Sequence, residues 1–189
     1  MVVFLVLGFW PVAIVFGLLA AFMAYFFRDP RRQPPSDANV VVAPADGLVT
    51  RVAPIDEGNP NSATLVSIFL SPLDVHINRA PIAGRITDVA YTGGKFLMAT
   101  DERASLVNEQ NALTIEGEKI TVVCKQIAGI LARRIVCWKR AGERVELGER
   151  FGMIKFSSRT DILLPQNVEI LVAKGNRVKG GTTIIGRIR

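Results

Sequence analysis

The stretch Gly142-Glu-Arg-Val-Glu-Leu-Gly148 returns near the end of the chain as Gly175-Asn-Arg-Val-Lys-Gly-Gly181. A second pair, Ala43-Pro-Ala-Asp-Gly-Leu-Val49 and Ala80-Pro-Ile-Ala-Gly-Arg-Ile86, shares an Ala-Pro start, a central glycine and a β-branched end. Glycine permits the tight turns that join short strands. The two pairs therefore indicate two similar half-units, each with a strand, a glycine turn and a second strand.

The chain after Asn39 consists mostly of short β-branched runs separated by Gly and Pro, which is typical of a mainly β (β-rich α+β) domain. Helix formers favour a helix only in residues 100–108 and 126–134. The repeated half-units are similar to those of a lipoyl-type barrel-sandwich. The alternative is that the repeated glycines only mark ordinary hairpin turns. The predicted strands lie at residues 40–42, 48–49, 64–70, 112–115, 120–125, 135–138, 161–164 and 168–173.

Residues 1–27 form an uncharged, apolar leader. As one helix they would reach roughly 40 Å, against about 30 Å for the hydrocarbon core of a bilayer. We expect a hydrophobic membrane anchor, either one spanning helix or, because of Pro11, a re-entrant helical hairpin. The leader lacks the charged start of a cleaved signal peptide. The arginines that follow it predict that the next domain faces the cytoplasm at the cell membrane.

Composition divides the chain into an anchor at residues 1–27, a Pro-rich linker at 28–39 and one folded domain at 40–189. The net charge of +6 is carried entirely after residue 27. A basic domain suits an anionic partner, and the apolar leader favours a phospholipid membrane over nucleic acid. The alternative is a solvated basic surface without a specific partner.

The chain has one histidine, His76, and two cysteines, Cys124 and Cys137, that lack the CxxC spacing of redox and zinc sites. We therefore expect no metal site and two reduced cysteines in the core. Any catalysis that pairs a nucleophile with a histidine would have to use His76.

Three segments carry residue types that are suited to catalysis. His76 follows the apolar run at residues 64–70, and Asp46 lies in a Pro-Ala-Asp-Gly turn, where its carboxylate could orient an imidazole or act as a base. Ser157 and Ser158 interrupt two apolar runs between Phe151 and Pro165. Taken singly, each segment also fits an ordinary turn or a structural histidine.

Taken together and in order, these segments resemble the phosphatidylserine decarboxylases, specifically their short bacterial and archaeal type. The matching segments are Phe26-Phe-Arg-Asp-Pro30, Ala43-Pro-Ala-Asp-Gly47, Leu70-Ser-Pro-Leu-Asp-Val-His76, Asn78-Arg-Ala-Pro81, Thr92-Gly-Gly-Lys-Phe96, Asn108-Glu-Gln-Asn111 and the serine segment.

The resemblance implies a cofactor made from the chain itself. Ser158 would attack the carbonyl before it, the chain would be cut into residues 1–157 and 158–189, and Ser158 would become a pyruvoyl group. The pyruvoyl ketone would form a Schiff base with the amino group of phosphatidylserine and accept electrons as carbon dioxide leaves, which gives phosphatidylethanolamine. His76 would supply the proton, Asp46 matches the family aspartate assigned to self-cleavage, and a homodimer is implied.

Two positions depart from the family pattern. Longer members have a second histidine where this chain has Arg79, which with Lys95 is a candidate to bind the substrate phosphate or carboxylate. The family also has glycine immediately before the reactive serine, where this chain has Ser157. A Cβ there restricts the backbone and the approach to the scissile carbonyl, so we predict a processing-impaired, uncleaved chain, with slow cleavage as the alternative.

Two functions other than an enzyme are compatible with the same segments. One is a non-enzymatic, membrane-bound domain of the same fold that binds anionic lipid. The other is a carrier or efflux-adaptor module, which is disfavoured because the carrier needs a lysine at a hairpin tip, where this chain has Ser157 and Ser158.

Overall fold

The computed structural model describes residues 8–59, 62–101, 103–130, 134–156 and 158–189. The helices are α1 (Trp10–Phe26) and α2 (Ala104–Val107). The strands are β1 (Val40–Val42), β2 (Gly47–Pro54), β3 (Thr64–Leu70), β4 (Ile77–Arg79), β5 (Gly84–Thr92), β6 (Gln110–Glu116), β7 (Thr121–Ala128), β8 (Ile135–Cys137), β9 (Arg144–Val145), β10 (Arg150–Ile154), β11 (Ser158–Leu164), β12 (Val168–Ile170), β13 (Arg177–Val178) and β14 (Ile184–Ile188).

The strands form one large and two small antiparallel sheets, which confirms the mainly β prediction. The large sheet has the order β13-β2-β3-β11-β7-β6-β5-β9 and curls into a half-barrel. The small sheets have the orders β1-β14-β12 and β4-β10-β8. β11 lies in the middle of the large sheet, where it pairs with β3 on one side and β7 on the other.

One hydrophobic core joins all three sheets. It includes Ile68 of β3 and Ile162 of β11 from the large sheet, Val41 and Ile185 from one small sheet and Phe151 from the other. All five side chains are fully buried. Strand periodicity explains the core, because alternate residues of a strand point to opposite faces, and β6 alternates buried and partly exposed positions along its length.

The repeated half-units occupy equivalent places in the structure. Val178 of β13 pairs with Gly47 at the start of β2, and Val145 of β9 pairs with Gly84 at the start of β5. In each half-unit, the glycine that begins a long strand therefore pairs with the valine of a short strand. The similarity predicted from sequence is present in the hydrogen bonding, whereas the barrel-sandwich classification stays a prediction.

The turns of the two half-units also match in backbone conformation. Gly142 and Gly175 have φ angles of +95° and +96°, and Gly148 and Gly181 have +72° and +75°. Side chains other than glycine rarely adopt such angles. The glycine spacing seen in the sequence therefore marks equivalent turns.

The short helix α2 lies within the helix predicted at residues 100–108, but the helix predicted at 126–134 is wrong. Gln126, Ile127 and Ala128 instead extend β7, where they pair with β6 and β11. Pairing on both sides and burial of these three residues outweigh helix propensity. Residues 131–133 of that prediction lie outside the described residues.

α1 is shorter than the anchor predicted at residues 1–27, of which residues 1–7 are not described. Its 17 residues would reach about 26 Å, less than the hydrocarbon thickness of a bilayer. In the described part of the chain, no helix has both the length and the apolar character needed to cross a membrane. The predicted spanning helix is therefore not supported, while α1 keeps the predicted position and apolar sequence.

The helix ends at Phe26, and Arg28, two residues later, contacts both the helix and the folded domain. The Arg28 guanidinium lies 3.8 Å from the centre of the Tyr25 ring and donates to the carbonyl oxygen of Leu73 at 2.8 Å. We call residues 28–39 the strap. The strap contains no helix or strand, and its side chains bind the folded domain.

Candidate active site

The reactive serine of the sequence prediction stands at the start of the central strand β11. Ser158 pairs with Leu70 of β3 and with Ala128 of β7, so the backbone is fixed on both sides. Its side chain is fully buried, and the described residues provide no hydrogen-bond partner for Oγ. A buried hydroxyl without a partner is uncommon in a structural serine and is typical of a group reserved for chemistry.

The turn between β10 and β11 precedes this serine. Phe156 has a φ angle of +58°, the one positive value among the described residues other than glycine. Such a conformation is costly for an aromatic residue and commonly marks a functional turn. Ser157, the predicted residue before the cleavage point, lies outside the described residues.

His76 lies beside the same turn. Its carbonyl oxygen accepts a hydrogen bond from the Ile154 backbone at 3.3 Å, and the next residue, Ile77, pairs with Met153. The imidazole is fully buried, and Nδ1 lies 3.0 Å from the Asp74 carbonyl oxygen. Because a carbonyl can only accept, Nδ1 carries the proton and Nε2 of the neutral ring has a free lone pair.

Two observations describe the chemical state of His76. No described residue gives Nε2 a hydrogen-bond partner. Burial lowers the pKa of His76 below its ordinary value, because a charged imidazolium loses hydration, and the bond to the Asp74 carbonyl opposes this only in part. The ring is therefore neutral near pH 7 and can accept a proton at Nε2.

Phe26, the last residue of α1, closes the region around His76. Its ring centre lies 4.1 Å from that of His76 and 4.5 Å from that of Phe156, with which it is stacked. Phe26 is fully buried. Since Phe26 contacts both rings, α1 connects the histidine to the turn before Ser158. In the sequence Phe26 stands out only as part of a segment that resembles the family, and its place beside His76 was not predicted.

Asp46 is held by two groups that do not belong to the serine turn. Its Oδ2 accepts from Arg32 of the strap at 2.8 Å, and its Oδ1 accepts from the Gly180 backbone at 2.7 Å. Its charge reaches His76 weakly and raises the pKa of that ring. The structure thus places Asp46 near the histidine, with both oxygens already bound.

The two predicted substrate-binding residues differ in their exposure to solvent. Arg79 is buried, donates to Asp29 and to the Pro30 carbonyl at 3.0 Å each and also donates to the Gly148 carbonyl at 3.2 Å. Burial lowers the pKa of Arg79. Lys95 is exposed in the loop before α2. Their role in substrate binding stays a prediction.

A chain of buried polar side chains that sequence reasoning missed supports β11. Asn78 donates to Thr160 Oγ1 at 3.0 Å and accepts from Gln126 at 2.9 Å, and Gln126 in turn accepts from Asn111 at 3.1 Å. Thr160 and Ser158 lie two positions apart on β11, so they share one face of the sheet. These long-range contacts leave no local pattern in the sequence.

The other face of β11 carries a buried ion pair. Arg159 and Asp161 form two bonds of 2.6 and 3.1 Å, and Arg159 also donates to Ser67 Oγ at 2.8 Å. Both charged side chains are almost fully buried. An arginine and an aspartate two residues apart in an apolar strand could have predicted this ion pair from the sequence, because such residues share a face of the sheet.

Both cysteines are free thiols, as predicted; Cys124 is fully buried and Cys137 is partly buried. Burial raises the pKa of Cys124 strongly and that of Cys137 to a lesser extent, so both remain protonated. They take no part in the region around Ser158.

Comparison with known proteins places the chain in a family. The family model described as phosphatidylserine decarboxylase matches residues 19–186. A protein named phosphatidylserine decarboxylase proenzyme from Pelodictyon phaeoclathratiforme is 46% identical over 179 residues, which are 94% of this chain and 84% of that protein. The Gluconobacter oxydans proenzyme of the same name is 50% identical over 176 residues, which are 89% of this chain and 77% of that protein. The proenzyme of the same name from Carboxydothermus hydrogenoformans is 46% identical over 186 residues, which are 97% of this chain and 87% of that protein. The chain therefore belongs to the phosphatidylserine decarboxylase family.

Proposed function

We propose that this protein is a decarboxylase proenzyme that converts phosphatidylserine to phosphatidylethanolamine after cutting its chain between Ser157 and Ser158. One observation carries the proposal: Ser158 Oγ and His76 Nε2 are both buried and have no partner among the described residues. A hydroxyl and a neutral imidazole nitrogen placed in this way suit a nucleophile and its base. Family membership supports the substrate and the reaction.

Self-cleavage would use atoms of the chain alone. Ser158 Oγ attacks the carbonyl carbon of Ser157, so an ester C–O bond forms as the peptide C–N bond breaks. Elimination then breaks the Cβ–Oγ bond of Ser158 and leaves Ser157 with a free carboxylate. Uptake of water and loss of ammonia at position 158 complete the pyruvoyl group. Neutral His76 is the proton acceptor for the attacking hydroxyl, because its Nε2 lone pair is free.

The surroundings of Ser158 fit such a group. β3 and β7 hold the position from both sides, and no bond from a described residue to Oγ would be lost on conversion. The pyruvoyl ketone supplies an electron-withdrawing carbonyl that binds the substrate amino group. After Nε2 of His76 has taken up a proton, the ring can return one to the substrate carbon once carbon dioxide has left.

We further propose that processing is slow or absent in this chain because serine stands where the family has glycine. Phe156 already holds a left-handed conformation immediately before residue 157. A Cβ at position 157 adds steric hindrance beside the carbonyl that Ser158 must attack. The turn then reaches the geometry for attack less often, which lowers the cleavage rate.

The proposed location is the cytoplasmic face of the cell membrane, with the domain attached to a phospholipid surface through α1. Large apolar side chains of α1 are exposed, among them Trp10 at 62% and Leu18 at 67%. Arg31 follows the helix, is exposed and would contact anionic headgroups, whereas Arg28 and Arg32 bind the Leu73 carbonyl and Asp46. A homodimer is also proposed, on the family resemblance alone.

The test is the mass of the C-terminal fragment. The purified chain should stay uncut on a denaturing gel, whereas Ser157→Gly should release residues 158–189, lighter by one ammonia than the same peptide with an N-terminal serine. Ser157→Ala is the matched control, since it removes the hydroxyl but keeps the Cβ, and it should remain uncut. Absence of the fragment from folded Ser157→Gly protein contradicts the proposal.

The same variant separates the enzyme from a lipid-binding domain. Cleaved Ser157→Gly protein incubated with phosphatidylserine vesicles should form phosphatidylethanolamine. Binding to anionic vesicles without this product would instead favour the non-enzymatic alternative.

A further inference from the structure

Phe26 differs in burial from most of the helix that carries it. Trp10, Leu18, Leu19 and Tyr25 of α1 are about half or more exposed, at 62%, 67%, 51% and 47%, whereas Phe26 is fully buried. Exposed large apolar side chains in such number are typical of a surface that meets lipid or another protein. The end of this helix is therefore inserted into the candidate active site while much of its length is uncovered.

The Phe26 ring lies directly against the rings of His76 and Phe156. It stacks on Phe156 with an interplanar angle of 22° and covers the imidazole at 4.1 Å between ring centres. His76 and Ser158 are both completely buried in this state. We expect a phospholipid headgroup to reach His76 only after the Phe26 ring moves.

The strap stays attached when the helix moves. Asp29 binds Arg79 at 3.0 Å and Arg150 at 2.9 Å, and Arg32 binds Asp46 at 2.8 Å. These ion pairs fix the chain from residue 29 onward on the domain. A displacement of α1 is therefore confined to the junction at residues 27–28, which lies next to Phe26.

We propose that Phe26 is a gate that a lipid surface opens. In the free protein Phe26 covers His76 and the turn before Ser158; when α1 lies on a bilayer, the helix tilts at residues 27–28 and draws the ring away. The inference rests on the proposed attachment of α1 to a phospholipid membrane. Lipid is the occupant that the observations favour, because α1 is uncharged and apolar and is followed by the exposed, positively charged Arg31.

Such a gate would make access to the site depend on whether the protein is bound to a membrane. In water the apolar surroundings of Phe26, His76 and Phe156 favour the closed state, since opening would expose three rings. On a bilayer the exposed side chains of α1 enter the lipid, and the energy gained there offsets the loss of the stacking contacts. The site would then open only where its substrate is found.

The single histidine gives a direct measurement of gate opening. Diethyl pyrocarbonate modifies accessible imidazole nitrogens, and the absorbance near 240 nm reports only histidine, so the rate reports exposure of His76 alone. The full chain without vesicles should react slowly. Phe26→Ala should react roughly tenfold faster or more, because it removes the covering ring. Leu18→Ala, on an exposed part of the same helix, should react as slowly as the unchanged chain.

Vesicles of phosphatidylglycerol and phosphatidylcholine, which lack the substrate, provide the second measurement. They should accelerate modification of the unchanged chain and should have little further effect on Phe26→Ala. Binding is followed separately by sedimentation with the vesicles, so a missing acceleration cannot result from missing binding.

Two outcomes would overturn the gate. One is rapid modification of His76 in the free, unchanged chain; the other is vesicle binding that leaves the rate unaltered. Either result leaves the fragment-mass test of Ser157→Gly untouched, so failure of the gate is distinguishable from failure of the proposed function. If Phe26→Ala does not fold, Phe26→Leu and the vesicle comparison on the unchanged chain still decide.

Discussion

Arg32 of the strap and Asp46 of the first turn form an ion pair of 2.8 Å that is mostly shielded from solvent, with 12% and 14% of the two side chains exposed. The second oxygen of Asp46 binds the backbone of Gly180, which lies in the segment that cleavage would separate. Asp46 therefore joins the strap, the first turn and the C-terminal segment. Its geometry supports a role in holding these parts together beside His76.

Removing Arg32 should destabilise the protein. Arg32→Ala leaves a partly buried carboxylate with one partner fewer, and we expect the free energy of unfolding to fall by about 1–2 kcal/mol. Urea denaturation followed by circular dichroism measures it. Arg31→Ala is the matched control, because Arg31 is exposed, and should shift the midpoint little. Equal effects of the two variants would mean that the ion pair contributes nothing specific.

The pair Arg159–Asp161 should contribute more, because it is buried in the central strand. Arg159→Met keeps most of the side-chain volume but leaves Asp161 charged without its partner, which should cost about 3–5 kcal/mol. Adding Asp161→Asn should recover part of that loss, since the buried charge is removed. The measurement is again the urea midpoint.

The control for that variant is an exposed arginine. Arg103 pairs with Asp101 at 2.9 Å but has 75% of its side chain exposed, so Arg103→Met should leave the midpoint nearly unchanged. If Arg159→Met lowered the urea midpoint as little as Arg103→Met does, the buried ion pair between Arg159 and Asp161 would not form as the structure shows.

The sequence predicted the features that depend on residues close together in the chain. The glycines of the repeat marked equivalent turns, because a positive φ restricts the residue type at Gly142 and Gly175. His76 and Ser158 were predicted as site residues from the resemblance and from reactive residue types next to apolar strands, and both are buried in the structure. In both cases the signal and its cause lie within a few residues of each other.

What the sequence could not predict depends on contacts between distant segments. Asn78 reaches Gln126 only because folding brings β4 close to β7, and Asn78 also donates to Thr160 of β11, the strand that pairs with β7. Phe26 reads as one more apolar residue of the leader, and its place over His76 depends on where α1 ends. The contact of Arg79 with Asp29 of the strap is likewise invisible in the sequence, and its predicted role in substrate binding stays a prediction.

The repeat makes a matched prediction for glycine. A Cβ at Gly84 would collide with the carbonyl oxygen of Glu116, and one at the equivalent Gly47 with that of Phe69. Gly84→Ala should therefore lower the free energy of unfolding by about 3 kcal/mol, and Gly47→Ala should do the same or more. Gly93→Ala is the control, since nothing lies within 4 Å of its added Cβ, and thermal unfolding should show little change.

The buried, neutral state of His76 should make stability depend on pH in a defined direction. Burial lowers its pKa in the folded protein, while the unfolded chain keeps the ordinary value of 6.5. As the pH falls through 6.5, the unfolded state takes up a proton that the folded state does not, so the free energy of unfolding decreases until the pH reaches the folded pKa. The slope in that interval approaches about 1.4 kcal/mol per pH unit.

His76→Gln isolates this contribution, because glutamine is polar but does not titrate. The difference between the two unfolding free energies should be constant above pH 7 and should change in favour of His76→Gln as the pH is lowered from 6.5. The one histidine signal in a proton NMR titration should give a folded pKa below 6.5. Parallel pH profiles, or a histidine that titrates at 6.5 or higher, would show that the imidazole is hydrated and not enclosed by Phe26.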